Sequence, residues 1–320
     1  HDWSIVIRSS ERSITLSSTH RPKDGETWLS QTLSQSNCEI KVSDTAPWLI
    51  LDASVVTDPE RRVLSVICEH ETPCGDEDAN FSLVSSFESG TSRYDPAPEL
   101  IKDRAKGMAF IVVEDLQRRV VYTCSAFLIS KTHLLSNRHC LYGPDPVKNA
   151  TPGRVRVWLR ANTVDAKSPP TIQNASVKFP KSLLEAGLAD VAILELEPIP
   201  TGAIALPLDI NSNALGDLAV LQFPRNEPLV INSDAQCTGR GTERMFSEDS
   251  SIRYLTHGCD TLGGSSGSPI LKRDLSSVVA IHYYGFQPGK EGLNRAFLIS
   301  DIIAELKAKK PDLAQLLQVQ

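Results

Sequence analysis

Short apolar runs broken by turn residues dominate the chain. "WSIVIRS", "SITLSS", "WLILDASVV" and "RVLSVICE" fall in the first hundred residues, with Pro, Gly, Asp and Ser between them. Such runs, rich in β-branched and aromatic residues, predict strands. From residue 108 they come faster: "MAFIVVE", "RVVYTCSAFLIS", "RVRVWL", "VAILELE", "LAVLQFP", "LVINSD", "IRYLTHG" and "VVAIHYYG". Helical patterns do not alternate with them. The spacing is that of an antiparallel barrel or sandwich, not of βαβ units. Two stretches differ. "SGTSRYDPAPELIKDRAKG" (89–107) carries Pro96, Pro98 and many charges and reads as a linker. "LISDIIAELKAKK" (298–310) sets Ile299, Ile302, Ile303 and Leu306 at helical offsets. It predicts a terminal amphipathic helix, with Ser300 as N-cap and lysines in the last turn. A β-rich region of unassigned role (1–105) is thus expected before a larger β domain (106–310).

Composition narrows the function classes. Of 320 residues 41% are apolar and 22% charged, as in an ordinary globular protein. A net charge of -6 gives no footprint for nucleic acid or an anionic membrane. No apolar run is long enough to span a bilayer. Seven cysteines allow at most three intrachain bridges. None has Cys-x-x-Cys spacing and no histidine cluster adjoins them, so no metal is expected. Scattered cysteines, with a start at His1 rather than Met, fit a leader already removed and an oxidising, secreted or periplasmic setting.

"CDTLGGSSGSPILKR" (259–273) concentrates the candidate chemistry. A reactive serine needs a base, a group that orients the base, and amide donors for an oxyanion. Glycines beside a serine let backbone N–H groups turn inward. "CSAFLISKTHLLSNRHC" (124–140) places His139 after an apolar strand, and "ADVAILELE" (189–197) places Asp190 at the mouth of another. A carboxylate at a core edge wants a donor. "GGSSG" (263–267) also fits the nucleophile elbow of α/β-hydrolases, with Ser265 as nucleophile. That reading needs an acid and then a histidine further on. Only His282 follows, with Asp274 a mere eight residues before it.

These motifs, in the order His139, Asp190, Ser266, resemble those of chymotrypsin-fold serine peptidases, and the bacterial trypsin-like and glutamyl-endopeptidase branch in particular. "HLLSNRHC" stands for the histidine motif, "ADVAIL" for the aspartate motif, "GSSGSP" for the nucleophile motif, and "NRAFLISDI" for the closing strand and helix. The resemblance covers about 106–310. It implies an all-β fold of two six-stranded antiparallel barrels (about 106–200 and 201–297) with a C-terminal helix (298–310). It implies a serine endopeptidase acting on protein or peptide substrates without cofactor or metal. Ser266 would attack, His139 would move the proton, Asp190 would steady the imidazole, and the amides of Gly264 and Ser266 would form the oxyanion hole. The alternative is a catalytically silent homologue that binds a partner. Arg138 replaces a small residue of the family motif, so it must reach solvent or find a carboxylate. Ser265 replaces the aspartate that animal trypsins use on activation, so that switch is not expected.

The resemblance pairs Cys124 with Cys140. Cys237 and Cys259 flank a β-like excursion and are expected to pair next. Cys68 and Cys74 could close a short loop, leaving Cys38 over. In the resembled fold the pocket base lies six residues before the nucleophile, at Asp260 here, and in trypsins an aspartate there selects Lys or Arg. Thr261 and His282 favour a substrate carboxylate instead, as in glutamyl endopeptidases, and a charged Asp260 would oppose that unless it points away. Tyr283 would brace the substrate or simply pack. Cleavage after acidic residues is the expected preference, with a Lys/Arg-specific trypsin-like enzyme as the alternative.

Overall fold

The computed structural model describes residues 4–8, 13–17, 39–42, 82–83, 98–115, 120–142, 154–159, 171–177, 190–197, 204–211, 214–224, 229–244, 253–285 and 293–316. The expected strands in "WLILDASVV" and "RVLSVICE", and Cys38, Cys68 and Cys74, lie outside them. In the N-terminal region β1 (Ser4–Arg8), β2 (Ser13–Ser17) and β3 (Glu39–Val42) form a small antiparallel sheet in the order β2-β1-β3. A two-residue strand, β4 (Ser82–Leu83), follows.

Helix α1 (Pro98–Ala105) forms inside the stretch read as a linker, and corrects that reading. Proline breaks a helix interior but suits the first turn, where its missing N–H costs nothing. Glu99 in the first turn and Lys102 and Arg104 in the last match the helix dipole. Ile101 and Ala105, four apart on one face, are buried in the core.

Six strands then close a barrel: β5 (Met108–Asp115), β6 (Val120–Leu128), β7 (His133–Ser136), β8 (Arg154–Leu159), β9 (Thr171–Val177) and β10 (Ala192–Glu197). Their order is β10-β7-β6-β5-β8-β9, with antiparallel pairs throughout. The short helix α2 (Arg138–Tyr142) follows β7.

The second sheet contains β11 (Gly216–Gln222), β12 (Val230–Asn232), β13 (Thr238–Arg244), β14 (Arg253–His257), β15 (Pro269–Lys272), β16 (Val278–Tyr284) and β17 (Asn294–Leu298). Its order is β13-β14-β17-β16-β15-β11-β12-β4. A further β13–β11 pairing brings the ends of six strands together and nearly closes them. The expected all-β, two-barrel fold is present.

Period-two alternation decides where the core sits. In β5, Ala109, Ile111 and Val113 fill the first barrel, while Met108, Phe110 and Val112 face the seam between barrels. In β11, Leu218 and Val220 fill the second barrel, while Ala219 and Leu221 face the same seam. Both faces of these strands are buried, which is why the sequence runs read apolar without alternation. Phe110 joins the halves, with ring centroids 5.8 Å from Trp158 and 5.5 Å from Phe223. Full burial of such side chains contributes about 1.5–3 kcal/mol each.

The terminal helix α3 (Ile299–Lys309) buries Ile299, Ile302, Ile303 and Leu306, as their spacing predicts. The expected cap differs. Leu298 holds the N-cap position without a side-chain bond, and Ser300 lies inside the helix. A second helix, α4 (Pro311–Leu316), begins at the proline that ends α3.

Candidate functional site

Register brings the first two candidates together. Ala192 of β10 sits opposite Ser136 of β7. Two residues beyond that pair in each chain direction, Asp190 faces Arg138 and His139. The His139 backbone N–H donates to Asp190 Oδ1 at 2.8 Å, and the imidazole Nδ1 bonds Asp190 Oδ2. Asn137 Nδ2 donates to the Asp190 carbonyl at 2.8 Å. Burial pushes the Asp190 carboxyl up, but the His139 charge, the two His139 hydrogen bonds and Arg138 outweigh it. The group ends below its ordinary value. Arg138 Nε lies 3.8 Å from Asp190 Oδ1. The carboxylate that the arginine needs is therefore the one that holds the imidazole.

The glycine-rich loop is pinned from both barrels. Gly264 and Gly267 have φ of +93° and +85°. A Cβ on Gly267 would stand 2.1 Å from the Ser125 carbonyl and 2.5 Å from Ser136 Oγ, so only glycine passes there. Ser125 N–H donates to the Ser266 carbonyl at 2.9 Å. Ser125 Oγ donates to the Gly264 carbonyl at 2.9 Å and accepts from Phe223 N–H at 3.0 Å. Of the three competing serines, Ser265 and Ser268 are 0% exposed and Ser266 is 6% exposed. Ser265 Oγ accepts from Leu262 N–H at 3.0 Å, a role inside the turn. That geometry, with strands and not helices on both sides, rules out the elbow reading.

Both expected bridges are present: Cys124–Cys140 and Cys237–Cys259. The first ties β6 to α2 beside the imidazole. The second ties the start of β13 to the segment entering the glycine-rich loop.

Of the residues expected to form a pocket, Asp260 is half-buried and engaged by β11 and β12. Its N–H donates to Asn232 Oδ1 at 3.0 Å, its carbonyl accepts from Gln222 Nε2 at 2.8 Å, and Asn232 Nδ2 lies 3.4 Å from its Oδ2. Thr261 and His282 are buried. His282 Nδ1 meets His257 Nε2 at 3.2 Å. Burial pushes His257 down to about 3, and burial with the nearby His257 and His139 charges pushes His282 well below 6.5. Tyr283 points to the other face of β16, stacked on Phe297 with centroids 4.1 Å apart. Burial pushes its phenol up to about 12.

Sequence reasoning missed His257, Asn232, Gln222 and Ser125. Each reads locally as an ordinary polar residue in or beside an apolar run. Only "IRYLTHG", with a histidine ending a buried strand, held a signal for His257.

A family described as a trypsin-like peptidase domain matches residues 124–281. This chain carries a chymotrypsin-fold, peptidase-like domain. A Glu endopeptidase solved with MPD is 16% identical, with 73% of this chain and 98% of that chain covered and a TM-score of 0.51. The Rv3671c protease from M. tuberculosis in its active form is 16% identical, over 69% of this chain and 93% of that one, with a TM-score of 0.49. The HtrA-type protease AlgW with tripeptide is 15% identical, over 68% and 62%, with a TM-score of 0.47. At 16% identity the likeness to the Glu endopeptidase is one of fold. No curated protein sequence matches this chain.

One feature of the peptidase-like domain corrects the expected activity. Among the described residues, Cys124, His139 and Cys140 bring their sulfur and nitrogen atoms within 4.8 Å of one another. The two sulfurs are joined in the disulfide. Bridged sulfurs are neither nucleophiles nor thiolate ligands. A closed disulfide gathered on the imidazole argues against an active nucleophile in this region. The expectation of a serine endopeptidase, of either acidic or basic preference, is corrected on that finding. No helix among the described residues is long and apolar enough to cross a membrane.

Proposed function

We propose that the chain is a catalytically silent peptidase homologue that binds a peptide segment in the cleft between its barrels. The observation that carries this reading is the sulfur–imidazole cluster, Cys124 and Cys140 closed into a bridge against His139. A second supports it: Arg138 Nε lies 3.8 Å from Asp190 Oδ1, so the carboxylate that bonds the imidazole also faces an arginine. In this reading His139, Asp190, Gly264 and Ser266 form the floor of a binding cleft, and Asp260, Thr261, His282 and Tyr283 belong to its pocket and supporting wall. The pocket histidine and "GSSGSP" support a reading of the chain as kin to the glutamyl-endopeptidase branch. Its two bridges fit a secreted or periplasmic protein.

The test incubates the full chain and its Ser266→Ala variant with a mixture of unmodified peptides. Mass spectrometry reads the retained peptides and any products. The expected result is retention of intact peptides by both proteins, within a few-fold of each other. Cleavage by the parent chain that Ser266→Ala abolishes would overturn the proposal.

A further inference from the structure

Spacing along the chain conceals one set of metal-ligating atoms. Cys124 and Cys140 stand 16 residues apart, outside any Cys-x-x-Cys pattern. The fold nevertheless gathers both sulfurs and a His139 nitrogen within 4.8 Å of one another. While the bridge is closed, neither sulfur can hold an ion. Once it is open, the three atoms offer two thiolates and one imidazole. In a tetrahedral zinc site, with Zn–S of about 2.3 Å and Zn–N of about 2.0 Å, ligand atoms lie about 3.5–3.8 Å apart. Sulfurs freed from their bond can part to that spacing without leaving the cluster. Cys124 is 5% exposed and Cys140 is 1% exposed, so thiolates there are poorly hydrated and want a cation.

The imidazole is already oriented for the task. Asp190 holds its Nδ1, which leaves Nε2 for a metal. A carboxylate on the far nitrogen is the usual outer partner of a zinc-bound histidine. Two thiolates cancel the charge of the ion, so Arg138 beside Asp190 does not oppose it. The His139 side chain is 26% exposed, which lets the ion and a fourth, water ligand enter from solvent.

We infer that Cys124, Cys140 and His139 form a redox-gated site for a zinc-type divalent cation. A dithiol opens it. The dithiol gives up two electrons and two protons and becomes a disulfide, the Cys124–Cys140 bond breaks, and two thiols form. Zn²⁺ then displaces both thiol protons and binds the two thiolates and the imidazole. Oxidising surroundings keep the site sealed, and reducing surroundings turn the same residues into a metal trap. Peptide binding in the cleft and metal binding here can each fail without the other.

Cobalt(II), a zinc stand-in with visible absorption, probes the site directly. The full chain is reduced with a dithiol, freed of it without air, and titrated. Thiolate-to-cobalt absorption that Zn²⁺ reverses is expected in the reduced chain and not in the oxidised one. The other reduced cysteines set a background, so the reference is Cys124→Ser with Cys140→Ser. The parent chain is expected to bind one further Co²⁺ over that reference. His139→Ala should weaken the extra ion by at least about tenfold, and Asp190→Asn by about tenfold. No excess over the reference would overturn the inference, and so would an excess that His139→Ala leaves unchanged. Melting keeps the test open if reduction loosens the fold. Zn²⁺ is expected to raise the melting temperature of the reduced parent chain and not that of the reference. Equal shifts in the two, or none, would count against the site.

Discussion

Asp190 holds His139 at two points, the backbone N–H and the imidazole Nδ1, across 51 residues of chain. The pairing of β7 with β10 sets the contact, since Ser136 opposite Ala192 brings Asp190 beside the residues that follow β7. Replacing Asp190 by alanine would orphan the His139 donors. A loss of about 1–3 kcal/mol in denaturant unfolding is expected.

Acid should expose the same contact. The Asp190 carboxyl lies below its unfolded value in the folded protein. Its stabilisation is then fully present above pH of about 4 and is lost as pH falls through the lower, folded value. Unfolding free energy measured down to pH 2 should fall less steeply for Asp190→Asn than for the parent chain. Parallel curves would contradict this.

His257 gives the opposite kind of group a similar slope. Its imidazole is held neutral, near 3, whereas the unfolded chain protonates at about 6.5. Between those values the unfolded state binds the extra proton, so stability drops as pH falls. The loss should be about 1.4 kcal/mol per pH unit below 6.5 for this residue. His257→Gln, compared with the parent at pH 7.0 and 5.5, should remove roughly that difference.

Two glycines with positive φ should respond unequally to alanine. Gly216 has nothing within 4 Å of a new Cβ, whereas Gly267 would meet the Ser125 carbonyl at 2.1 Å. Gly216→Ala should cost about 1 kcal/mol, from backbone strain alone. Gly267→Ala should cost several times more, about 3 kcal/mol or above, because the loop must leave the first barrel. Similar melting shifts for the two would show that the loop is not pinned.

The Cys124–Cys140 bridge spans 16 residues and anchors α2. Replacing both cysteines by alanine should cost about 3 kcal/mol, chiefly through the freer unfolded chain. Reductant should cost the variant only the Cys237–Cys259 bridge, whereas it should cost the parent chain both bridges.

The strands were legible because their runs obey local rules. "MAFIVV" and "LAVLQF" are apolar on both faces, and turn residues mark where they stop. The α3 face followed from the offsets of Ile299, Ile302, Ile303 and Leu306. Helix α1 was not legible, since Pro98 reads as a breaker until Ile101 and Ala105 are seen to have a core to enter. Motif order brought His139, Asp190 and the Gly264–Gly267 turn to notice as a set. Apart from the Asp190–His139 pair, side-chain partners did not follow from it. That Arg138 would reach for Asp190, that His257 would lie against His282, and that Asn232 would grip Asp260 depend on residues 25 to 52 positions apart. Periodicity and turn chemistry act over a few residues, so the sequence could determine which segments are strands and which face is buried. Barrel closure and register alone decided which buried polar groups met, and a buried polar group takes its meaning from the partner it meets.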